Sequence, residues 1–258
     1  MGSLLSAVCA LAVLGASYTA SSTKLEGGRK YQMVPMTSNL SFGFTPTSVC
    51  SNDAQMKECR VKPEEKDAPF YYNEDFSLLD LIRDYRAVAG KSAPLQKRIV
   101  IDKSERKAQV YIDDCLLKEY PIALGLNPEG DKVKAWDYKT PEGEFYVAGK
   151  KTDSQFGNGV ALYISYPDIE DAERGLESRL INKKQYNRIK RAIDQCTLPP
   201  QNTRLGYEVL LHGGGVGRDW TYGCIAFRNN DIDEIYLFAE VGCDPESMNP
   251  LTKIVINS

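Results

Sequence analysis

Leu210-Leu211-His212-Gly213-Gly214-Gly215-Val216-Gly217-Arg218-Asp219-Trp220-Thr221-Tyr222-Gly223-Cys224-Ile225 holds the only histidine of the 258-residue chain and, twelve positions on, a cysteine. An apolar, strand-like run delivers the imidazole, glycines and polar residues make a loop, and the Tyr222-Gly223 step presents the thiol. Thiolate chemistry near neutral pH needs a base beside the sulfur, and imidazole is the side chain whose ordinary pKa suits that task. Any Cys–His site in this chain must therefore use His212.

Spacing alone is weak evidence, since a lone histidine is usually structural and a cysteine after glycine is often a small buried residue. Three features strengthen it. The glycine loop lets backbone approach a ligand closely. Tyr222, Gly223 and Cys224 offer successive N–H groups, as an oxyanion hole requires. The flanking strands form a rigid base beneath the loop. Other motifs fail: a dinucleotide fingerprint would put its third glycine at Arg218 or Trp220, and no P-loop, G-x-S-x-G or HExxH occurs. With no CxxC and one histidine, neither zinc nor a cofactor is expected.

Working outward, strand-like runs surround the motif. Residues 98–102, 108–112 and 116–124, separated by polar turns, read as an antiparallel meander. Residues 145–147, 162–166, 207–211 and 253–256 add strands. Residues 168–196 interrupt them with a helical insertion, Asp168 starting it and Tyr186, Ile189, Ile193 and Cys196 sharing one face. Asn230 is expected to cap a short helix after Cys224. Upstream, Asn73 can cap a helix with Phe76, Leu79, Ile82 and Tyr85 at helical spacing, a docking helix ending near Gly90.

Composition bounds the rest. Charged residues make up 26%, hydrophobic residues 42%, and the net charge is −3. With no basic run interleaved with aromatics, nucleic-acid binding and electrostatic membrane-surface binding are disfavoured. Residues 4–16 form an uncharged apolar stretch, long enough for the core of a signal peptide and too short to span a bilayer, although Met1-Gly2-Ser3 lacks a cation. The expected division is a signal peptide over 1–23, an N-terminal arm with one docking helix over 24–97, and a catalytic domain over 98–258, with no integral membrane segment in the mature chain. Of seven cysteines, Cys9 falls in the leader. Cys50 and Cys59 could close a small bridge in an oxidising compartment, and Cys196 with Cys243 a second; spacing does not settle the pairing.

Residues of roughly 98–240 resemble the L,D-transpeptidase (YkuD-type) catalytic domain. The resemblance is carried in order by Ile99-Val100-Ile101-Asp102-Lys103-Ser104, Tyr120-Pro121-Ile122-Ala123-Leu124-Gly125, Lys139-Thr140-Pro141-Glu142-Gly143-Glu144-Phe145, Ile164-Ser165-Tyr166-Pro167, and the His212-Gly213 … Thr221-Tyr222-Gly223-Cys224-Ile225-Ala226 segment. It implies a mainly β fold, a curved sandwich or barrel with a helical insertion and peripheral helices. It further implies an exported enzyme of the periplasm or cell envelope acting on peptidoglycan stem peptides. Cys224 would be the nucleophile and His212 its base, a carbonyl near Gly213 or Gly214 would orient the imidazole, and the Tyr222, Gly223 and Cys224 N–H groups would hold the oxyanion. Many members carry Ser-His-Gly-Cys-Ile-Arg; here Tyr222 replaces the second histidine and Ala226 the arginine. Arg228 or Arg218 could replace that cation toward a substrate carboxylate, and Thr221 and Tyr222 could line the cleft. Trp220 and Tyr166 face substrate or belong to the core. The insertion and the Gly-Cys-Ile-Ala ending are closer to a subgroup that includes peptidoglycan–lipoprotein amidases, so a hydrolase on the same scaffold is one alternative, either an L,D-carboxypeptidase that trims stem peptides or an amidase with a wall-linked lipoprotein as partner. A wall-binding protein with an inert Cys–His pair is another, favoured if Cys224 were bridged, for instance to Cys243.

Overall fold

The structure, a computed structural model, describes residues 18–25, 28–35, 77–89 and 95–258. The expected leader core at 4–16, the Cys50–Cys59 pair and the Asn73 cap lie outside the described residues. The chain divides into two units. In the first, β1 (Tyr18–Leu25) and β2 (Gly28–Pro35) pair antiparallel, with Leu25 opposite Gly28. No strand was expected there, because small polar residues fill β1 and β2 carries only a short apolar run at its end.

The second unit is mainly β. Strands β3 (Lys97–Asp102), β4 (Lys107–Ile112) and β5 (Cys115–Pro121) form the expected antiparallel meander. After them come β6 (Gly143–Lys151), β7 (Ala161–Ile164), β8 (Leu210–His212), β9 (Ile225–Ala226) and β10 (Thr252–Asn257), in the sheet order β5-β4-β3-β10-β6-β7-β8-β9. Period-two alternation sends Ile99 and Ile101, Val110 and Ile112, Ile254 and Ile256 into one core, all fully or almost fully buried. Each such side chain contributes roughly 1.5–3 kcal/mol, and a charge at Ile99 would break the register that aligns them.

Two pairings are parallel: β10 with β3, which seats the last strand at the centre of the sheet, and β8 with β9. Beyond β5 the chain meets the far edge. Ala123 and Ala226 exchange hydrogen bonds of 2.9 and 2.8 Å, so the sheet curls toward closure. The curved β fold expected from the sequence is the fold observed.

The insertion is two helices rather than one. α1 (Leu78–Ala89) precedes the sheet; α2 (Ile169–Glu177) and α3 (Lys183–Asp194) lie between β7 and β8. Asp168 caps α2, as expected, through the N–H of Asp171 at 2.8 Å. Asn182 and Gln185 form a second capping box that starts α3 afresh. Ala172, Ile181, Ile189 and Leu205 give the insertion its own small core. In α1 the Ser77 hydroxyl accepts from the Asp80 N–H at 3.2 Å; of the expected face Tyr85 is buried, Ile82 half-buried and Leu79 exposed, while Leu78 and Leu81 are buried in its place. α4 (Asn229–Phe238) starts before Asn230, with Arg228 at the N-cap and no side-chain cap bond. Cys196 and Cys243 are bridged, pinning the end of α3 to the late loop.

Candidate active site

β8 is buried throughout and ends on His212, which is 1% exposed. Its parallel ladder pairs Leu211 with Ile225 and His212 with Ala226, so Cys224 falls opposite Leu210, one step before β9. Strand alternation then turns the thiol and the imidazole to one face. Both line a cavity of about 350 Å³ together with Lys132, Phe156, Glu208, Trp220, Thr221, Tyr222 and Gly223.

The imidazole is fixed on three sides. Its Nδ1 lies 2.6 Å from the Gly213 carbonyl oxygen. A carbonyl can only accept, so Nδ1 carries the hydrogen and Nε2 keeps its lone pair. Phe156 stacks on the ring at 4.4 Å and Trp220 meets it edge-on at 5.6 Å. That stacking needs Gly157, at φ +61°, where a Cβ would lie 2.7 Å from Gly213 Cα. Asn229 Oδ1 accepts from the Gly214 N–H at 3.0 Å and holds the glycine loop. Burial keeps the imidazole below its ordinary pKa, with the Gly213 carbonyl opposing.

The half-buried Cys224 thiol donates to the Glu208 carbonyl oxygen at 3.2 Å. Burial pushes its pKa up to about 11, against smaller downward contributions from the Leu210 N–H and the Lys132 charge. At neutral pH the thiol and the imidazole lining the cavity are therefore both uncharged. The turn before it is tightly specified: Gly223 has φ +127°, and a Cβ there would sit 2.6 Å from the Lys139 carbonyl oxygen. Thr221 Oγ1 donates to the Cys224 carbonyl oxygen at 2.7 Å and accepts from the Gly223 N–H at 3.1 Å. That bond engages the Gly223 N–H, one of the three groups expected to face an oxyanion, and leaves the Tyr222 and Cys224 N–H groups for that role.

The cavity brings together His212, Trp220, Thr221, Tyr222, Gly223 and Cys224, while Gly213 orients the imidazole from outside its lining. Tyr166 is not substrate-facing: it is 1% exposed and its hydroxyl donates to the Leu205 carbonyl oxygen at 2.8 Å. Arg218 and Arg228 are exposed and outside the cavity lining, because the loop and the start of α4 turn them to the surface. The cation that does line the cavity is Lys132, 3% exposed and paired with Asp137 at 2.7 Å. Its Nζ also donates to the Lys134 carbonyl oxygen at 3.2 Å, which leaves one of its three donors for a ligand. A Cβ on Gly223 would lie 3.6 Å from that Nζ. The signal for Lys132 is its place in residues 122–142, a long connection between two strands, and such loops are usually functional.

Residues 96–256 match the model of the L,D-transpeptidase catalytic domain, YkuD. No curated protein matches the chain. Among solved structures it is similar to the helical cell shape determining protein Pgp2 from Campylobacter jejuni, at 21% identity and TM-score 0.41 over 64% of this chain and 48% of that one. It is also similar to an L,D-transpeptidase from Mycobacterium smegmatis, at 13% identity and TM-score 0.35 over 64% and 59%. The chain thus spans about half the length of Pgp2. Since the family model covers more than half of its residues, the chain belongs to the L,D-transpeptidase family.

Proposed function

We propose that this family member is an exported cysteine L,D-transpeptidase that acts on peptidoglycan stem peptides through an acyl-thioester on Cys224. The observation that carries this reading is the Nδ1 contact of His212 with the Gly213 carbonyl oxygen, which leaves Nε2 as a base on the face of the sheet that carries the thiol. The Cys196–Cys243 bridge leaves Cys224 unbridged, so the feature that would have favoured an inert pair is not there to support it. The same bridge fits an oxidising compartment, consistent with export.

The chemistry starts from two neutral groups. Substrate entry displaces the thiol from the Glu208 carbonyl, Nε2 takes its proton, and sulfur attacks the carbonyl at the L-centre of diaminopimelate. The Cys224 N–H stabilises the oxyanion, an effect of roughly 2.7–4 kcal/mol per donor. The imidazolium then protonates the D-Ala amine as the C–N bond breaks. An amine attacking the thioester gives transfer, and water gives hydrolysis. Lys132 supplies the charge that the missing arginine would have given, aimed at the D-Ala carboxylate of the donor peptide.

Turnover of a diaminopimelate tetrapeptide tests this reading. Release of D-Ala, with cross-linked product once an amine acceptor is added, supports it. Trimmed product alone shifts the assignment to the hydrolase, and release of an attached lipoprotein to the amidase. No D-Ala release by reduced, folded protein would refute all three.

A further inference from the structure

Four aromatic side chains beside the Cys224 cavity are exposed: Trp136 by 59%, Tyr222 by 63%, Tyr207 by 46% and Tyr138 by 38%. They nonetheless form one cluster. Trp136 lies 6.0 Å from Tyr207 and 6.1 Å from Tyr222 between ring centroids, and Tyr138 lies 5.2 Å from Tyr222. A contiguous exposed apolar patch of this kind marks a binding surface.

The loop that carries two of these rings is built to hold them outward. Trp136 and Tyr138 have left-handed backbone, φ 65° and 58°, a conformation that costs of order 1–3 kcal/mol at a non-glycine residue. Asp137 between them offsets that cost. Its buried carboxylate accepts from Lys132 Nζ at 2.7 Å and from the Val133, Lys134 and Lys139 N–H groups at 2.8, 3.0 and 3.1 Å. The loop also presses on the strand extension, since a Cβ at Gly125 would fall 2.1 Å from the Tyr138 carbonyl oxygen.

Charge divides the surface between two kinds of ligand. The buried Lys132 ammonium suits the anionic stem peptide. The rings outside it are uncharged, and among the described residues the Tyr138, Tyr207 and Tyr222 hydroxyls have no protein partner. A pyranose matches them: its axial C–H face carries partial positive charge against the negative face of an aromatic ring, while its equatorial hydroxyls and acetamido group meet phenolic O–H groups. Reach agrees as well. Extended as ordinary peptide, three stem residues between the sugar and the reacting carbonyl span about 11 Å, and Tyr222 is two residues from Cys224.

We propose that Trp136, Tyr138, Tyr207 and Tyr222 form a saccharide subsite that holds an N-acetylated sugar of the glycan strand while its stem peptide reacts at Cys224. The choice of ligand rests on the stem-peptide reading above, and its test is separable from that reading. Tryptophan fluorescence of the full chain is titrated with a β-1,4-linked N-acetylglucosamine tetramer, Trp220 being the only other tryptophan. Saturable change is expected in the parent, with affinity weakened at least tenfold in Tyr207→Ala, which keeps the Trp136 reporter. Absence of a saturable change in the parent overturns the subsite whatever the enzyme does. In turnover, kcat/KM for a disaccharide tetrapeptide is expected to exceed that for the free tetrapeptide by about tenfold, and Trp136→Ala brings the ratio near one. Equal parent values would overturn the subsite and leave the transpeptidase reading standing. Turnover of neither substrate would refute that reading, and the fluorescence titration then decides the subsite alone.

Discussion

Alkylation of Cys224 as a function of pH separates a resting thiol from a resting thiolate. Burial raises the thiol to about 11 and holds the imidazole below its usual range, so neither group is charged at about pH 7. The thiolate fraction there is about 10⁻⁴, against about 3% for an exposed cysteine of pKa near 8.5. The more basic thiolate is the stronger nucleophile, which returns about tenfold. Net alkylation by iodoacetamide at about pH 7 is therefore expected to be some 20–30-fold slower than for an exposed cysteine. Since a raised pKa defers thiolate formation to higher pH, the rate should climb about tenfold per pH unit toward an inflection near 11. Peptide mapping assigns the modified residue, which distinguishes Cys224 from the buried Cys115. His212→Ala should leave this high-pH profile in place while slowing enzymatic acylation by on the order of 10²–10⁴-fold. A rate already level at pH 7, with an inflection near 5, would mean a preformed thiolate–imidazolium pair and would refute the neutral resting state.

Three further expectations follow from the same geometry. Thr221→Val removes the hydroxyl that serves the Gly223 N–H and the Cys224 carbonyl, at about 1–3 kcal/mol for each group left without a partner. Urea denaturation should register that loss and Thr221→Ser should largely restore stability and acylation; Val and Ser variants of equal stability would contradict it. Cys196→Ser opens a bridge spanning 47 residues and should cost about 2–4 kcal/mol, read as a lower denaturation midpoint, whereas an unchanged midpoint would show the bridge to be absent. Lys132→Met should raise KM for a tetrapeptide ending in D-Ala carboxylate by about tenfold or more, the loss of one charge-assisted bond, and have little effect on KM for the C-terminal amide. Equal effects on both peptides would show that Lys132 only supports Asp137.

How much of this was legible in the sequence depends on how far each signal lies from its partners. That His212 and Cys224 meet in one cavity was legible because a rare residue type and a local spacing point to the pair. Local alternation gave the strands of the meander. It did not place β10 between β3 and β6, because a strand's own pattern does not name its neighbours. Tyr166 and Tyr222 are both tyrosines within recognisable motifs, yet one lies in the core and the other on the rim; only tertiary packing separates them. A cation near the substrate was sought at Arg218 and Arg228, whereas the cation lining the cavity, Lys132, comes from a loop about ninety residues upstream that the Gly125–Thr221 bridge ties to the site. The division between α2 and α3 did have a local sign in the Asn182 and Gln185 capping box.

The central claim is a covalent acyl-thioester on Cys224. Intact-mass measurement of the reduced, folded protein mixed with a diaminopimelate tetrapeptide tests it most directly. The account predicts an added mass equal to the tetrapeptide less D-Ala, mapped to Cys224 and absent in Cys224→Ala. A parent protein that releases D-Ala without ever carrying that mass, or an adduct that persists in Cys224→Ala, would contradict it.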